Sequence, residues 1–514
     1  MHPAIRVQLF DRILCALVLC ALFCAGFFPT RSSAQVPNPT VTGPIVQPVA
    51  PGDPSHNYIF FSSNHDLAGH GYVEEEFFIS GNATRYATPN QTNPGTNSTG
   101  TVINPGSVNP YKTRVVVRRP SDPSKFNGVV LVEWYNVTNN FDAENIWFFG
   151  WENIMRSGYV WVGVSAQRVG VNALKTWGPT RYGTLDVTLG NTVNDDSLSY
   201  DVYSQAGQAL AAPGAVDMLH GLKPTMIIAT GESQSAQRLA SYANSIQPLA
   251  NLYDGILALS TLGNKIRTDL DVPFFKVLTE SDVVLFNEAN NRPEASPPAP
   301  VRSWEVAGAS HVDQHLRNSR EPLELRDNGV STEAVGLDPP YTGGSTGGCE
   351  FKPVGSRTPT TFVLASAYDK MVKWIQTGTA PANSPRIAIA SAPGVTPVVP
   401  VRDSLGLAQG GIRLAQMVYP TRINSGVNVG PGACNRWGYS VAMDPATLQT
   451  MYPDPLAYFR GVAAVDKANA MAGYILPVDM AADMARAAAG DISGLYDGET
   501  VPRPPRHRLR DSSR

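Results

Sequence analysis

A serine in the run Gly231-Glu-Ser-Gln-Ser235 has surroundings that can turn it into a nucleophile. The residues Met226 to Ala229 predict a short buried strand before it, and small or apolar residues recur at helical spacing after it: Ala236, Leu239, Ala240 and Ala243. A serine in such a strand-to-helix turn projects its hydroxyl above the sheet edge, and the helix N-terminus directs partial positive charge at it. The sequence therefore predicts Ser233 as the nucleophile of an acyl-transfer site, with the amide of Gln234 placed to bind an oxyanion.

The five-residue pattern Gly-x-Ser-x-Ser is a weak signal by itself, because short motifs recur by chance. Its last position must be small where the helix packs tightly, and Ser235 meets that requirement. A loop serine beside a helix cap is the simpler interpretation of the pentapeptide alone. The strand before it and the amphipathic helix after it are the context that the motif requires, and they favour the nucleophile.

A serine nucleophile needs a general base, and around a serine of this kind the chain order is serine, acid, histidine. Of the eight histidines, only His311 and His315 lie between Ser233 and the C-terminal tail. His311 follows the predicted strand 303–307 in a short glycine-containing turn, so we predict His311 as the base. The alternative is a loop histidine bonded to backbone. His315 is the poorer candidate, because it lies four residues further on in a stretch expected to be helical.

The acid is expected at the end of the strand that precedes the histidine. The run Phe274-Phe-Lys-Val-Leu-Thr-Glu-Ser-Asp282 offers two carboxylates there. Asp282 lies three residues after the turn residue Thr279 and is the prediction, and Glu280 is a rival with a longer side chain. The second oxyanion donor is expected from the loop after an earlier strand, at the amides of Asn136 and Val137. This chemistry requires neither a metal nor a cofactor.

Strands and helices alternate along the chain in the order that predicts a doubly wound α/β domain with a mainly parallel sheet. The predicted strands are 71–80, 113–118, 128–134, 159–165, 226–229, 254–260, 274–278 and 303–307, and the predicted helices are 144–156, 201–220, 234–246 and 362–376. We expect an irregular stretch over 317–360, strand and loop over 385–440, and two or three helices over 445–490. Such sheets bind ligands at the carboxyl ends of their strands, where Ser233 lies.

The N-terminus predicts a signal peptide. Arg6 and Arg12 precede an apolar run over 13–28, and small residues follow up to Ala34, so cleavage is expected before Gln35. A retained anchor is the alternative, but the apolar run is short for a membrane span. The predicted divisions are a signal peptide (1–34), an extended lead-in (35–55), the main domain (56–385), a C-terminal extension integral to that domain (386–500) and a basic disordered tail (501–514). The mature protein is expected to be secreted or periplasmic, without a stable membrane anchor.

The predicted export determines how the cysteines are interpreted. Three of the five lie in the predicted signal peptide, which leaves Cys349 and Cys434. Two cysteines in an oxidising compartment indicate one disulfide, and two free buried thiols are the alternative. The disulfide would close a loop of roughly 85 residues and stabilise the fold by about 4 kcal/mol.

Composition argues against a nucleic-acid partner and leaves the role of one group of aromatic residues open. The net charge is −3 with 16% charged residues, and the one basic cluster is the C-terminal tail, so a nucleic-acid partner is not expected. Aromatic residues are dense in one part of the chain: Trp134, Tyr135, Trp147, Phe148, Phe149, Trp151 and Trp177. They are typical either of a pocket wall for an apolar group or, for most of them, of helix-on-sheet core packing.

Several runs are specific only when taken together: Val132–Val137, Gly158–Arg168, Ser199–Gln205, Gly231–Ser235, Trp304–His311, Trp374–Pro381 and Gly410–Leu414. Together they resemble a family of α/β-hydrolase-domain proteins, mostly secreted and bacterial, over most of the mature chain. The resemblance implies an α/β-hydrolase fold with a serine hydrolase site at Ser233 and His311, whereas the acid carries over less cleanly. Tyr135 departs from the pattern, since an aliphatic residue is expected there. The resemblance implies no particular substrate.

These inferences predict an exported serine hydrolase that acts on a carboxylic ester, small or polymeric, through Ser233, His311 and Asp282. Two alternatives remain. One is a non-catalytic binding protein on a hydrolase scaffold. The other is a carbohydrate esterase, suggested by tryptophans expected to be exposed, or a peptidase that uses the same three residues.

Overall fold

The computed structural model describes residues 36–88, 99–292, 300–329, 348–392, 394–395 and 397–489. The predicted signal peptide and basic tail lie outside the described residues, so both stay predictions. Within the described ranges, no helix is both long enough and apolar enough to cross a membrane.

A nine-stranded sheet forms the centre of the protein. Its strands are β1 (Thr40–Thr42), β2 (Tyr72–Asn82), β3 (Pro110–Pro120), β4 (Val129–Trp134), β5 (Val160–Val164), β6 (Met226–Glu232), β7 (Gly255–Leu259), β8 (Phe274–Thr279) and β9 (Val301–Val306). They are ordered β1-β2-β3-β5-β4-β6-β7-β8-β9. The pairs β1–β2, β2–β3 and β3–β5 are antiparallel. The pairs β5–β4, β4–β6, β6–β7, β7–β8 and β8–β9 are parallel. This sheet confirms the predicted fold class.

Helices cover the sheet on both faces. They are α1 (Asn145–Arg156), α2 (Arg168–Trp177), α3 (Ser199–Ala211), α4 (Gln234–Ser245), α5 (Glu280–Leu285), α6 (Gln314–Asn328), α7 (Thr360–Thr377), α8 (Pro455–Ala472) and α9 (Pro477–Ala488). Successive residues of β4 alternate between two cores: Val129 and Leu131 pack with α1 and α7, and Val130 and Val132 pack with α3 and α4. Every residue of β4 to β8 is buried, as expected of strands covered on both sides.

Shorter elements complete the fold. Helical turns span Pro123–Lys125, Pro179–Tyr182, Gln247–Ala250, Glu288–Asn290, Ala415–Val418, Cys434–Trp437 and Pro445–Met451. Two small antiparallel sheets pair Tyr86–Ala87 with Thr101–Val102 and Arg422–Ser425 with Tyr439–Ala442.

Two helices differ from the sequence prediction. Helix α3 ends at Ala211 and not at residue 220, because Pro213 lacks the amide that would continue the helix. Helix α6 occupies the first part of the stretch 317–360, which we expect to be irregular. Its interior Pro322 and polar composition make this helix hard to recognise in the sequence. The side chain of Asp313 caps its N-terminus by accepting a hydrogen bond from the Leu316 amide.

The C-terminal extension covers the β9 edge of the sheet. Ile412 forms a parallel bridge with Val306, and the Ile412 amide donates to the Glu305 carbonyl at 2.7 Å. Just before the extension, the Ser384 hydroxyl accepts from the Glu305 amide at 2.9 Å. These bonds occupy backbone groups that an edge strand would otherwise leave unpaired. The lead-in is also more structured than expected, since it supplies β1 at the opposite edge.

The tryptophans are structural. All eight lie in the described residues, and none is exposed: Trp134, Trp147, Trp161, Trp304, Trp374 and Trp437 are buried, and Trp151 and Trp177 are half-buried. The core-packing interpretation is therefore correct for most of the aromatic residues. The exposed tryptophans that suggested a carbohydrate ligand are an expectation that the structure contradicts, because each ring is at least half-buried by the residues around it.

Candidate active site

The turn between β6 and α4 holds Ser233 in a strained conformation. Its backbone has φ 58° and ψ −119°, a positive φ that is uncommon for a residue with a side chain. Gly231 is required nearby, because an added Cβ would lie 2.9 Å from Ser235 Oγ and 3.1 Å from Leu239 Cδ1. Ser235 is small enough for this position and also forms two hydrogen bonds within the turn. Its hydroxyl accepts from the Glu232 amide at 3.0 Å and donates to the Glu232 carbonyl at 2.8 Å, which ties the turn together.

The structure brings Ser233, His311 and Asp282 into one hydrogen-bonded row. Ser233 Oγ lies 2.8 Å from His311 Nε2, and His311 Nδ1 lies 2.7 Å from Asp282 Oδ1. The second Asp282 oxygen accepts from Ser260 Oγ at 2.6 Å and from both the amide and the hydroxyl of Thr279 at 2.7 Å. Asp282 is fully buried, so these bonds hold the carboxylate in one orientation.

The rival acid and the rival base lie elsewhere. Glu280 Oε2 accepts from the Gly308 amide at 2.8 Å, and its Oε1 accepts from Arg402 at 2.7 Å. Its carboxylate therefore supports the loop before His311 and is not bonded to the imidazole. His315 lies on α6, where its Nε2 faces Glu152 at 3.7 Å.

The loop that carries His311 is held by the C-terminal extension. The His311 amide donates to Ser281 Oγ at 3.0 Å, and Ser281 Oγ in turn donates to the Gly426 carbonyl. Gly426 packs so closely that an added Cβ would lie 2.2 Å from the Ala309 carbonyl oxygen. The Val312 amide donates to the Arg436 carbonyl at 3.1 Å.

Cys349 and Cys434 form the predicted disulfide. Cys434 begins the short helix Cys434–Trp437, which contains Arg436. The disulfide therefore anchors the segment whose backbone supports the residue after His311.

The three predicted oxyanion donors differ in availability. The Asn136 amide donates to the Ala143 carbonyl at 2.9 Å, so the expectation that this amide is free is wrong. The Val137 amide donates to the side-chain oxygen of Gln234 at 3.3 Å, a weak bond that a stronger acceptor can replace. The Gln234 amide is the first of α4 and has no partner within the helix. Val137 and Gln234 therefore remain the two candidate donors.

Sequence reasoning missed Glu232, the residue before the serine. Its Oε1 lies 3.5 Å from His311 Nε2, on the side of the ring opposite to Asp282. Its Oε2 accepts from Asn145 at 2.7 Å and from Asn136 at 3.4 Å. A glutamate at the end of a fully buried strand was the available signal, because a buried carboxylate needs a partner.

The electrostatics of the site couple Glu232 to His311. Burial disfavours the imidazolium, but the carboxylates of Glu232 and Asp282 outweigh it and raise the pKa of His311. Arg436 acts in the opposite direction and lowers that pKa. Burial raises the pKa of Glu232 to about 7, although His311 and the Asn145 hydrogen bond oppose the shift. The protonation state of each group therefore affects that of the other, because each carries a charge that the other feels.

This arrangement has the parts of a serine nucleophile site. A strained serine faces a histidine, a buried carboxylate fixes the other ring nitrogen, and two amides near the serine can bind an oxyanion. Among the described residues, no group of three or more His, Cys, Asp or Glu side chains is arranged to hold a metal ion.

Comparisons with known proteins identify the family. A family model described as an alpha/beta hydrolase domain matches residues 41–485. No curated protein matches the sequence. Among solved structures, esterase Est22 is similar at 12% identity over 52% of this chain and 82% of that chain, with a TM-score of 0.29.

Two further solved structures are similar to the same extent. A dienelactone hydrolase from Anabaena variabilis has 11% identity over 48% of this chain and 96% of that chain, with a TM-score of 0.27. An alpha-beta serine hydrolase homologue from Coxiella burnetii has 13% identity over 43% of this chain and 93% of that chain, with a TM-score of 0.24. Since the family model spans most of the sequence, the chain belongs to the alpha/beta hydrolase domain family.

Proposed function

We propose that the protein is an exported serine hydrolase that cleaves carboxylic esters. The observation that carries the proposal is the row Ser233 Oγ, His311 and Asp282, with separations of 2.8 Å and 2.7 Å. Membership of the hydrolase family supports it. The strained backbone of Ser233 adds further support, because such strain is retained mainly where it serves a site.

In the proposed reaction, Ser233 Oγ attacks the ester carbonyl while His311 Nε2 takes the hydroxyl proton. The amides of Val137 and Gln234 bind the oxyanion, after the substrate oxygen has replaced the Gln234 side chain at Val137. His311 then gives the proton to the leaving alkoxide, and an acyl-enzyme remains. His311 next takes a proton from water, whose oxygen attacks the acyl-enzyme. The bond between the acyl carbon and Ser233 Oγ then breaks, His311 returns the proton to Ser233 Oγ, and the carboxylic acid leaves. Asp282 holds the imidazole orientation throughout.

An ester is preferred to an amide because an alkoxide leaves more easily than an amine anion. A peptidase or an acyltransferase would use the same three residues. A panel of esters, amides and alcohol acceptors separates these reactions by product, and ester hydrolysis faster than the other two is the expected result.

The decisive test uses a fluorophosphonate probe on the mature protein, which begins at Gln35. We expect wild type to be labelled and the Ser233→Ala and His311→Ala variants to remain unlabelled, with all three folded by circular dichroism. The matched control is Ser241→Ala, which alters a serine of α4 whose hydroxyl donates to the Gln237 carbonyl at 3.3 Å, and this variant should still be labelled. A folded wild type without labelling would favour a non-catalytic binding protein.

Export is a separate part of the proposal. It is supported by the N-terminal sequence pattern and by the disulfide between Cys349 and Cys434. N-terminal sequencing of the protein recovered from the periplasm or the medium should begin at Gln35. Recovery only from the cytoplasm, with Met1 retained, would contradict export.

A further inference from the structure

Glu232 is a fully buried carboxylate that the proposed reaction does not yet use. It stands at the carboxyl end of β6, directly before Ser233, and is 2% exposed. Its Oε1 lies 3.5 Å from His311 Nε2, the same nitrogen that faces Ser233 Oγ at 2.8 Å. The longer separation leaves the serine as the hydrogen-bond partner of Nε2, and the carboxylate acts on the ring by charge alone.

The orientation of this carboxylate is fixed from α1 and from the loop after β4. Asn145 Nδ2 donates to Oε2 at 2.7 Å, and Asn136 Nδ2 donates to the Glu232 carbonyl at 3.0 Å as well as to Oε2 at 3.4 Å. Amide donors hold a carboxylate in place without neutralising it. His311 is thus a charge partner of Glu232, with 3.5 Å between Nε2 and Oε1.

The neighbouring strand provides a comparison. Glu133, on β4, is also a buried glutamate near the carboxyl end of a parallel strand. Its oxygens accept from the amides of Ile146 and Trp147, at 2.8 and 3.1 Å, and from Trp161 Nε1 at 2.8 Å. Glu133 therefore anchors the first turn of α1. Glu232 has fewer such donors and instead faces the proposed base.

We propose that Glu232 is a positioning residue whose carboxylate stabilises the His311 imidazolium from its Nε2 side while Asp282 holds the Nδ1 side. This inference rests on the proposed function, because the imidazolium forms when His311 takes the proton of Ser233. Glu232 and Asp282 then flank the His311 imidazolium, and their attraction to it is gained only when the ring is protonated. The serine turn thus supplies both the nucleophile and a charge that favours its deprotonation.

Other charged groups also face this pair. Asp282 from α5 raises the pKa of both groups, Arg320 from α6 lowers the pKa of Glu232, and Arg436 lowers that of His311. Of these four groups, Glu232 is the one that lies 3.5 Å from Nε2 and next to the nucleophile in the chain.

The test is the pH dependence of fluorophosphonate labelling in wild type, Glu232→Gln and the matched control Glu133→Gln. Loss of the Glu232 charge should lower the pKa of His311, so the acid limb of the profile moves to lower pH by on the order of one unit. At alkaline pH, Glu232→Gln should be labelled about tenfold more slowly, because its imidazolium is less stabilised. Glu133→Gln should keep the wild-type acid limb.

A second variant and a second readout keep the proposal testable if Glu232→Gln does not fold. Asn145→Ala removes the 2.7 Å hydrogen bond to Glu232, which should raise the pKa of Glu232 and move the acid limb in the same direction by less. NMR titration of the His311 ring reports the pKa without any turnover. A labelled wild type with an unmoved acid limb and an unmoved His311 pKa overturns the role of Glu232 and leaves the proposed function standing. An unlabelled wild type overturns the function, and the NMR shift still decides the coupling.

Discussion

Two of the groups of buried charged side chains in the described residues reach charge balance in different ways. The arginine network consists of three arginines and four carboxylates around β2, β3 and the start of α1: Arg114, Arg118, Arg181, Glu74, Glu76, Asp142 and Glu144. The Ser233 site consists of one histidine and two carboxylates beside the serine: His311, Asp282, Glu232 and Ser233. Both groups are buried, but only the arginine network contains permanent cations.

Arg118 illustrates the arginine network. Its guanidinium lies 2.7 Å from Glu74 and 2.9 Å from Glu144, between the rings of Trp147 and Trp161 at 4.4 and 4.5 Å. Burial opposes its charge, but the carboxylates outweigh burial and raise the pKa of Arg118 further. Its charge is therefore independent of pH, and the network forms part of the scaffold.

In the Ser233 site, by contrast, the positive charge depends on protonation. His311 carries a charge only when it is protonated, so the balance between Glu232, Asp282 and the ring changes when a proton moves. A buried carboxylate bound to arginine thus indicates structure, whereas one that faces a histidine indicates a group that can change charge. The predictions below test this distinction.

The largest effect is expected from the acid of the Ser233 site. Asp282→Asn should reduce kcat for ester hydrolysis on the order of 10⁴-fold, because the amide stabilises the wrong ring tautomer and no imidazolium. Steady-state kinetics on folded protein measures it. Glu280→Gln is the control and should change kcat by less than about tenfold, since this side chain bonds to Arg402 and Gly308. Equal losses in both variants would break the assignment of Asp282.

The arginine network should respond in stability and not in chemistry. Arg118→Met leaves Glu74 and Glu144 without their cation and should lower the free energy of unfolding by about 3–5 kcal/mol, measured in urea. Labelling of the folded fraction at Ser233 should be unchanged. The matched control is Arg119→Met, whose pair with Glu75 is more exposed and should contribute at most about 1 kcal/mol. A larger loss from Arg119 than from Arg118 would contradict the comparison.

The disulfide tests how far the Ser233 site depends on a scaffold outside the sheet. Replacing both Cys349 and Cys434 by alanine should lower the free energy of unfolding by about 2–4 kcal/mol, because the unfolded chain regains the freedom of a long loop. Thermal unfolding with and without a reductant measures it. Reductant should destabilise wild type and leave the double variant unaffected. An unchanged Tm in reduced wild type would show that the bond is dispensable.

The smallest effect is expected at Arg436. This half-buried arginine lowers the pKa of His311, so Arg436→Met should raise that pKa and move the acid limb of labelling to higher pH, by less than about one unit. The direction is opposite to that of Glu232→Gln. Added salt should shrink the difference, because a partly exposed charge is screened. A shift to lower pH would contradict the charge balance of the Ser233 site.

The elements of the α/β sheet were predictable because their signals are local. The strand before Ser233 and the helix after it appear as a short apolar run and a helical period, and the structure has them at β6 and α4. Helix α6 was not predictable in this way. Its buried face includes polar residues such as Arg320 and Glu324, which read as exposed until the ion pair between them is known.

The choice between Asp282 and Glu280 shows where sequence reasoning stops. The two carboxylates are two residues apart, and spacing alone accommodates either one. Residues two apart on a helix face different directions, and α5 begins at Glu280. Asp282 therefore closes a capping box on Thr279 and faces His311, whereas Glu280 faces Arg402.

Residue types at short spacing were enough to predict the fold class, the strand and helix on either side of Ser233, and the chain order of Ser233, Asp282 and His311. Three features became visible only in the folded protein: Asp282 is the carboxylate bonded to His311 Nδ1, the Asn136 amide is already bonded, and Glu232 faces the imidazole. Those contacts join residues far apart in the chain, and their atoms meet within ångströms only after the strands have been ordered and the helices packed. The role of a buried charged group depends on the groups that it contacts, and those contacts cannot be read from the sequence alone.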